Sequence, residues 1–193
     1  MPMQRLDPGP FIVPMPTVLI GADIDGKPNF MTAAFVGIAD YKPPTIACGL
    51  NLTHLTCRGI ETNRTFSVCV PSVDMVEVVD WCGIVSGNKV DKSDVFKVFR
   101  GELPGAPMIE ECALCAECRL LHATPHGVDT LFVAEIVSVH ARSECLTKGK
   151  VDWAKVSPLL FTFPEPSYWK LGDYVAKAWS VGRNFDPKKK HSG

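Results

Sequence analysis

Asp25-Gly26-Lys27-Pro28-Asn29-Phe30-Met31-Thr32-Ala33-Ala34-Phe35 is the stretch that decides the fold. Its Asp-Gly pair stands between two apolar runs, a strong short-range hairpin signal. The pattern predicts a first strand over residues 17–24 and a second over residues 30–38. The second arm carries Thr32-Ala33-Ala34 between Met31 and Phe35. Small side chains on a strand let a flat ligand approach the backbone, whose amides and carbonyls then bond the ligand's polar edge. The same residues also suit a barrel strand where interior space is tight.

Outward from that hairpin, Lys42-Pro43-Pro44 forces an extended connection into a third strand over residues 45–50. Asn51-Leu52-Thr53-His54-Leu55-Thr56 comes next, with Thr53 as candidate N-cap of a helix over residues 54–61. A helix N-terminus offers free amide hydrogens and partial positive charge, which suit a phosphate. The Thr53 and Thr56 hydroxyls and the His54 ring add donors from one turn. An unliganded Thr cap carries the same signature. A fourth strand is expected over residues 66–70, then a helix over 73–84 and a short helix over 94–100. Residues 116–124 and 130–141 alternate well and form a second hairpin through Gly127-Val128-Asp129. A helical turn over residues 152–156 and a strand over 159–163, ended by Pro164-Glu165-Pro166, complete the pattern. Short strands with a few helices predict a mainly β chain, a β-barrel with added helices. Length points to a single domain over residues 1–193, with an extended Pro-rich segment over 1–10 and a C-terminal segment and tail over 164–193.

Composition narrows the function classes. Twenty basic and 21 acidic residues give a net charge of −1, so no electrostatic footprint for nucleic acid is present. The basic run Lys188-Lys189-Lys190-His191 reads as a solvated tail. No apolar run of about 18 residues predicts a membrane span. The first residues lack an apolar secretory core, and eight cysteines without export suit reduced thiols in the cytoplasm.

In order and spacing, the landmarks resemble the flavin-reductase-like, FMN-binding split-barrel proteins, and among them the flavoredoxin-like group. They are the Asp25-to-Ala34 stretch, Lys42-Pro43-Pro44, Thr53-His54-Leu55-Thr56, Asn63-Arg64-Thr65-Phe66-Ser67-Val68, Cys82-Gly83-Ile84-Val85-Ser86-Gly87, Asp91-Lys92 and Glu117-Cys118-Arg119-Leu120. The resemblance implies a six-stranded Greek-key split barrel, one FMN per subunit, and a homodimer with the flavin near its interface. It places Asn29, Met31, Thr32, Ala33, Ala34 and Phe35 along the isoalloxazine ring. Asn51, Leu52, Thr53, His54 and Thr56 fall at the ribityl phosphate, and Ser86, Gly87 and Lys92 on the phosphate side or against a neighbouring subunit. Lys92 equally suits the surface. Family members often carry Trp where Phe35 stands, and Asn-x-Pro where this chain has Cys69-Val70-Pro71.

The flavin would carry the redox chemistry and the protein its position and electrostatics. No side chain stands out as a catalytic acid or base, and His54 reads as a phosphate donor. Two flavin readings follow: an oxidoreductase that takes electrons from NADH or NADPH, or an electron carrier between redox proteins. A third reading rests on Cys112-Ala113-Leu114-Cys115-Ala116-Glu117-Cys118, which resembles part of an iron–sulfur ligand run or holds a redox pair. A fourth ligand at suitable spacing is missing. His122, His126 and His140 are too scattered for a metal site by spacing. Trp81 and Trp153 read as core or interface anchors. Tyr168, Trp169 and Trp179 either pack in the core or cover the flavin's open face.

Overall fold

A computed structural model describes residues 3–187. The basic run at 188–191 lies outside the described residues. The chain opens with β1 (Val18–Ile24) and β2 (Lys27–Ala33), joined by Asp25 and Gly26. Both turn residues have positive φ, 51° and 81°, the conformation that two-residue hairpins favour. Next come β3 (Val36–Tyr41), β4 (Pro44–Asn51), α1 (Leu55–Asn63), β5 (Thr65–Val70) and α2 (Val76–Ile84). Two long strands, β6 (Leu114–His126) and β7 (Asp129–Ala141), form the second hairpin. After α3 (Trp153–Val156), β8 (Leu159–Thr162) and β9 (Ser167–Lys170) make a small sheet with Met15–Pro16.

The main sheet runs β2-β1-β5-β6-β7-β4-β3, with antiparallel pairing throughout. Its two edge strands are consecutive in sequence. Buried Met31 and Ala33 of β2 pack in one cluster with Ile46, Cys48 and Leu50 of β4, near the opposite edge. The sheet is therefore rolled until its edges approach, without a ladder between them: a split barrel. Register shifts in β7 at Val133/Ala134 and Ile136/Ser138 help the curl, because bulges bend a strand and raise its twist.

The split-barrel expectation holds, with a seventh strand. The predicted arm over 30–38 breaks at Ala34-Phe35. There the Val36 N–H donates to Ala34 O at 2.9 Å, and the Gly49 N–H to Phe35 O at 2.8 Å. The chain leaves β1 as a partner and takes β4, crossing between the sheet edges. The short helix expected over 94–100 is absent: Val98–Phe99 instead pairs with Met108–Ile109. Phe96 is buried in a second core cluster with Leu19, Phe30, Val79 and Ile109, which covers the outer face of β1 and β5. Cover on both faces leaves no room at Gly21. A Cβ there would lie 2.5 Å from Ser67 Oγ and 2.6 Å from both the Phe30 ring and Pro107 O.

Candidate functional site

The strand crossing at Ala34-Phe35 opens a cavity of about 310 Å³, at the small end of ligand-cavity sizes. Met31 to Phe35 line one side and Gly49, Leu50 and Asn51 of β4 another. Gly83 of α2 and His54, just before α1, reach it as well. Phe161, Phe163 and Tyr168 come from the β8–β9 segment. The Phe163 ring stands edge-on to Phe35 at 6.4 Å between centroids. Tyr168 donates to Asp80 Oδ1 at 2.9 Å, which ties β9 to α2. Burial, helped by Asp80, pushes its phenol up to about 12, so it is a neutral wall at physiological pH. Thr32 Oγ1 donates to Val79 O, fixing β2 against the same helix.

A second, more polar hollow of about 500 Å³ lies beside the start of α1. Asn29, Leu55, Arg58, Gly87, Lys89 and Lys92 line it, with Lys27, Asp25 and Asp91. Four cations there face two carboxylates. Asn29 Nδ2 donates to Thr56 Oγ1 at 2.7 Å in a buried bond. The 86–88 loop presses on that pair: a Cβ on Gly87 would sit 2.5 Å from Asn29 Oδ1 and 3.2 Å from Leu55 Cδ2. Asn88 Nδ2 donates to Thr53 O at 3.1 Å, pinning the loop to the helix entry. In the first turn of α1 the Cys57 N–H is taken by His54 O at 3.1 Å, which leaves the Leu55 and Thr56 amides without a partner within the helix. The hollow therefore combines a helix N-terminus with a positive surplus, which suits a phosphate.

Lys92 is buried rather than at the surface. Its ammonium donates to Phe30 O at 3.1 Å and Cys82 O at 2.8 Å, and lies 5.8 Å from the Trp81 ring centroid. It joins β2 to α2 while forming part of the polar hollow's wall. Burial lowers its pKa. His54 is also shifted down, first by burial and then by the Lys92 charge. A neutral imidazole therefore faces the cavity and donates through one nitrogen only. Lys92→Met should cost roughly 1–3 kcal/mol, because two buried carbonyls lose their donor while the stem's volume stays. Urea unfolding of the flavin-free protein checks this; a surface lysine would change the midpoint negligibly.

The structure brings Met31, Thr32, Ala33, Ala34, Phe35, Asn51 and His54 to the apolar cavity, and Asn29, Gly87 and Lys92 to the polar hollow. Thr56 adjoins the polar hollow through Asn29. Leu52, Thr53 and Ser86 line neither. Thr53 is not the cap. His54 holds that place without a side-chain bond, and the Thr53 hydroxyl instead donates to Asn51 Oδ1 at 2.7 Å. Sequence reasoning missed Gly49, Gly83, Phe161 and Phe163, and the cations Lys27, Arg58 and Lys89; Tyr168, which it named as a candidate cover for the flavin, does line the cavity. Gly49 did carry a signal, since glycine inside a strand marks close approach of a ligand or backbone.

The cysteine run does not converge as a whole: Cys112 and Cys115 come together beside Cys69, and Cys118 stands apart. Cys118 faces the barrel interior, while Cys112 and Cys115 lie in the outer cluster with Cys69. Residues 115 and 118 are an odd number apart on one strand, so they point to opposite faces. Among the described residues no group of cysteines, histidines and carboxylates could hold a metal ion. Burial pushes the Cys48 and Cys57 thiols up to about 12 and Cys82 to about 11. These behave as small apolar core residues. Trp153, Trp169 and Trp179 are exposed, against the core reading.

The model of the flavin reductase like domain family matches residues 11–165. The chain belongs to that family. Within the flavin reductase like proteins its likeness is to flavoredoxins. The chain is 42% identical to the flavoredoxin from Methanosarcina acetivorans, over 95% of this chain and 98% of that one, with a TM-score of 0.91. It is 34% identical to the flavoredoxin of Desulfovibrio vulgaris (Miyazaki F), over 94% and 100%, with a TM-score of 0.88. The uncharacterized protein YddH of Escherichia coli (strain K12) is 34% identical over 142 residues, 70% of this chain and 75% of its own. The FMN expectation stands with the family, and the residues present fit that cofactor. Gly49 leaves an open wall, its added Cβ meeting only Phe35 at 3.5 Å or beyond, while the polar hollow suits a phosphate dianion.

Proposed function

We propose that the protein is an FMN-dependent oxidoreductase that accepts electrons from reduced nicotinamide. One observation carries this reading: an apolar slot beside main chain and a cation-rich helix entry lie side by side along β2. Bound FMN supplies two-electron chemistry. The chain's residues hold and orient it. Ala33, Ala34 and Gly49 leave the wall without bulk, and Phe35, Phe161 and Phe163 exclude water. Asn29, Thr56 and Lys92 position the phosphate, with the first-turn amides of α1. The neutral His54 ring offers a single donor between the two hollows. No acid or base is required of a side chain.

The likeness to two flavoredoxins across nearly the whole chain favours a second reading, an electron carrier whose donor is a redox protein. One experiment separates the two. The purified protein is mixed anaerobically with NADH and, separately, NADPH, and the flavin band at about 450 nm is followed. Prompt bleaching supports the reductase. Flavin that bleaches with dithionite but not with either nicotinamide supports the carrier. Colourless protein that takes up no added FMN overturns both.

The working unit we propose is a homodimer of single-domain subunits. Eight buried cysteines, with no disulfide among the described residues, support a cytoplasmic setting. No helix among the described residues is long and apolar enough to cross a membrane.

A further inference from the structure

Across β5, β6 and β7 the outer face of the sheet carries two neighbouring rows of reactive side chains. In one row Cys69 stands opposite Cys115, and Cys115 opposite His140. In the next Ser67 stands opposite Glu117, and Glu117 opposite Ser138. The ladder sets the spacing of the two cysteines. The Leu120 N–H donates to Arg64 O at 2.9 Å, so Arg64 and Leu120 are a hydrogen-bonded pair. Hydrogen-bonded and non-hydrogen-bonded pairs alternate along an antiparallel ladder, and Cys69 is an odd number of residues beyond Arg64. Cys69 and Cys115 therefore face each other in a non-hydrogen-bonded pair, with Cα atoms about 4.5 Å apart. Disulfides span about 4.4–6.8 Å between Cα atoms, so these two can bond with little backbone movement.

The sulfurs already interact. Burial would raise the Cys69 thiol, but hydrogen bonds from Cys112, Cys115 and Ser67 outweigh it and hold the group well below its ordinary value. Cys112 is pushed up by the same contacts with Cys115 and Cys69. Cys115 Sγ donates to Ile109 O at 3.3 Å. A cavity of about 300 Å³ leads to this trio from the outer face. Cys112 and Cys115 line it with His140 and Arg142, and Cys69 lies fully buried behind them. The His140 ring is held in place, its Nε2 3.2 Å from Ser138 Oγ and 3.4 Å from Oε2 of the buried Glu117. A thiol, an imidazole and a carboxylate that orients the imidazole are the parts of an activated sulfur nucleophile. None of them lines the flavin cavity.

We propose that this outer cavity is a peroxide-reactive dithiol site, in which Cys115 and Cys69 form a reversible disulfide. Hydrogen peroxide is the oxidant; two waters' volume is about 60 Å³, well within the cavity. Cys115 gives its proton to His140, and its sulfur attacks one peroxide oxygen. The O–O bond breaks, and the departing hydroxide takes the proton back from His140 as water. Cys115 is then a sulfenic acid. The Cys69 sulfur displaces its oxygen, the S–S bond forms, and the second water leaves with the Cys69 proton. Two thiols lose two electrons, and one peroxide becomes two waters. A small dithiol reverses the reaction by exchange. The site stands whether or not the flavin reading does.

The test uses the full chain, reduced and then freed of reductant. An equivalent amount of hydrogen peroxide should remove two of the eight thiols and lower the intact mass by two hydrogens. Peptide mapping should join Cys69 to Cys115, and dithiothreitol should restore both thiols. Cys69→Ala should stop at a sulfenic acid on Cys115, trapped by a cyclic dione. Cys115→Ala should abolish the reaction, while Cys48→Ala, in the barrel interior, should leave it unchanged. His140→Gln should slow it at least tenfold and give the same disulfide. The mapping of the unaltered protein depends on no variant's folding. The proposal falls if all eight thiols survive peroxide, if the disulfide joins any other pair, or if a folded Cys115→Ala protein reacts at the unaltered rate. An unaltered rate in His140→Gln overturns the proton-carrying role of that residue.

Discussion

Gly49→Leu should weaken FMN binding at least a hundredfold and leave the fold intact. Gly49 sits in β4 on the cavity wall, with its N–H already spent on Phe35 O. An added Cβ would meet only Phe35, at 3.5 Å from its Cβ and 3.9 Å from its O, both ordinary contacts. The strand can therefore accept a side chain, and its intrinsic preference improves, since glycine is poor inside strands. The remaining atoms of the leucine extend into space the flavin ring needs. A hundredfold loss corresponds to about 2.7 kcal/mol, a modest demand for filling a slot of about 310 Å³. Gly21 is the contrast. There a Cβ strikes Ser67, Phe30 and Pro107 within 2.6 Å, so substitution damages the fold itself. FMN titration with thermal unfolding of the flavin-free protein checks the prediction. Unchanged affinity would remove the cavity as the flavin site; a large loss of melting temperature would show the position to be structural.

The first hairpin was legible because its signal is local: Asp25 and Gly26 accept the two left-handed conformations the turn requires. The break at Ala34-Phe35 carries no glycine or proline. It is imposed by β4, far along the chain, which offers the Phe35 carbonyl its N–H donor. Small residues on β2 showed where a flat ligand could approach, and the thiols' divergence followed from strand periodicity once the strand was accepted. Phe161 and Phe163 were hidden, since they reach the cavity only through the pairing of β8 with Met15–Pro16 and β9. Arg58 was hidden for another reason. It lies one helical turn after Leu55, and its role appears only when the 86–92 loop folds over that face. Leu52, Thr53 and Ser86, placed at the site by the resemblance, line neither hollow.

Glu117→Gln should destabilise the fold by roughly 2–4 kcal/mol, although the residue lies outside the flavin site. Glu117 belongs to a landmark that carried the family resemblance, and the structure supplies a physical reason for a carboxylate there. Its side chain is fully buried in β6. It accepts the Glu102 N–H at 3.0 Å and the Leu103 N–H at 2.8 Å, and the Ser138 hydroxyl. His140 Nε2 stands 3.4 Å away. Gly101 lies so close that a Cβ would come within 2.3 Å of Oε2. One carboxylate thus clamps the 101–103 loop onto two strands, and a glutamine would turn an NH₂ group toward donors. The pH dependence follows. Burial alone would raise the Glu117 pKa, but the bonds from Ser138, Leu103, Glu102 and His140 outweigh it and hold the group below its usual 4.5. The unfolded chain therefore takes up the proton first as pH falls. The stabilisation is complete above 4.5 and disappears as pH drops through the lower folded value. At pH 7 the variant should melt roughly 4–16 °C below the unaltered protein, and the gap should close as pH falls below 4.5. FMN affinity should not change, since Glu117 lines neither hollow. A gap that persists undiminished into acid would mean packing, not the ionised carboxylate, is what the position supplies.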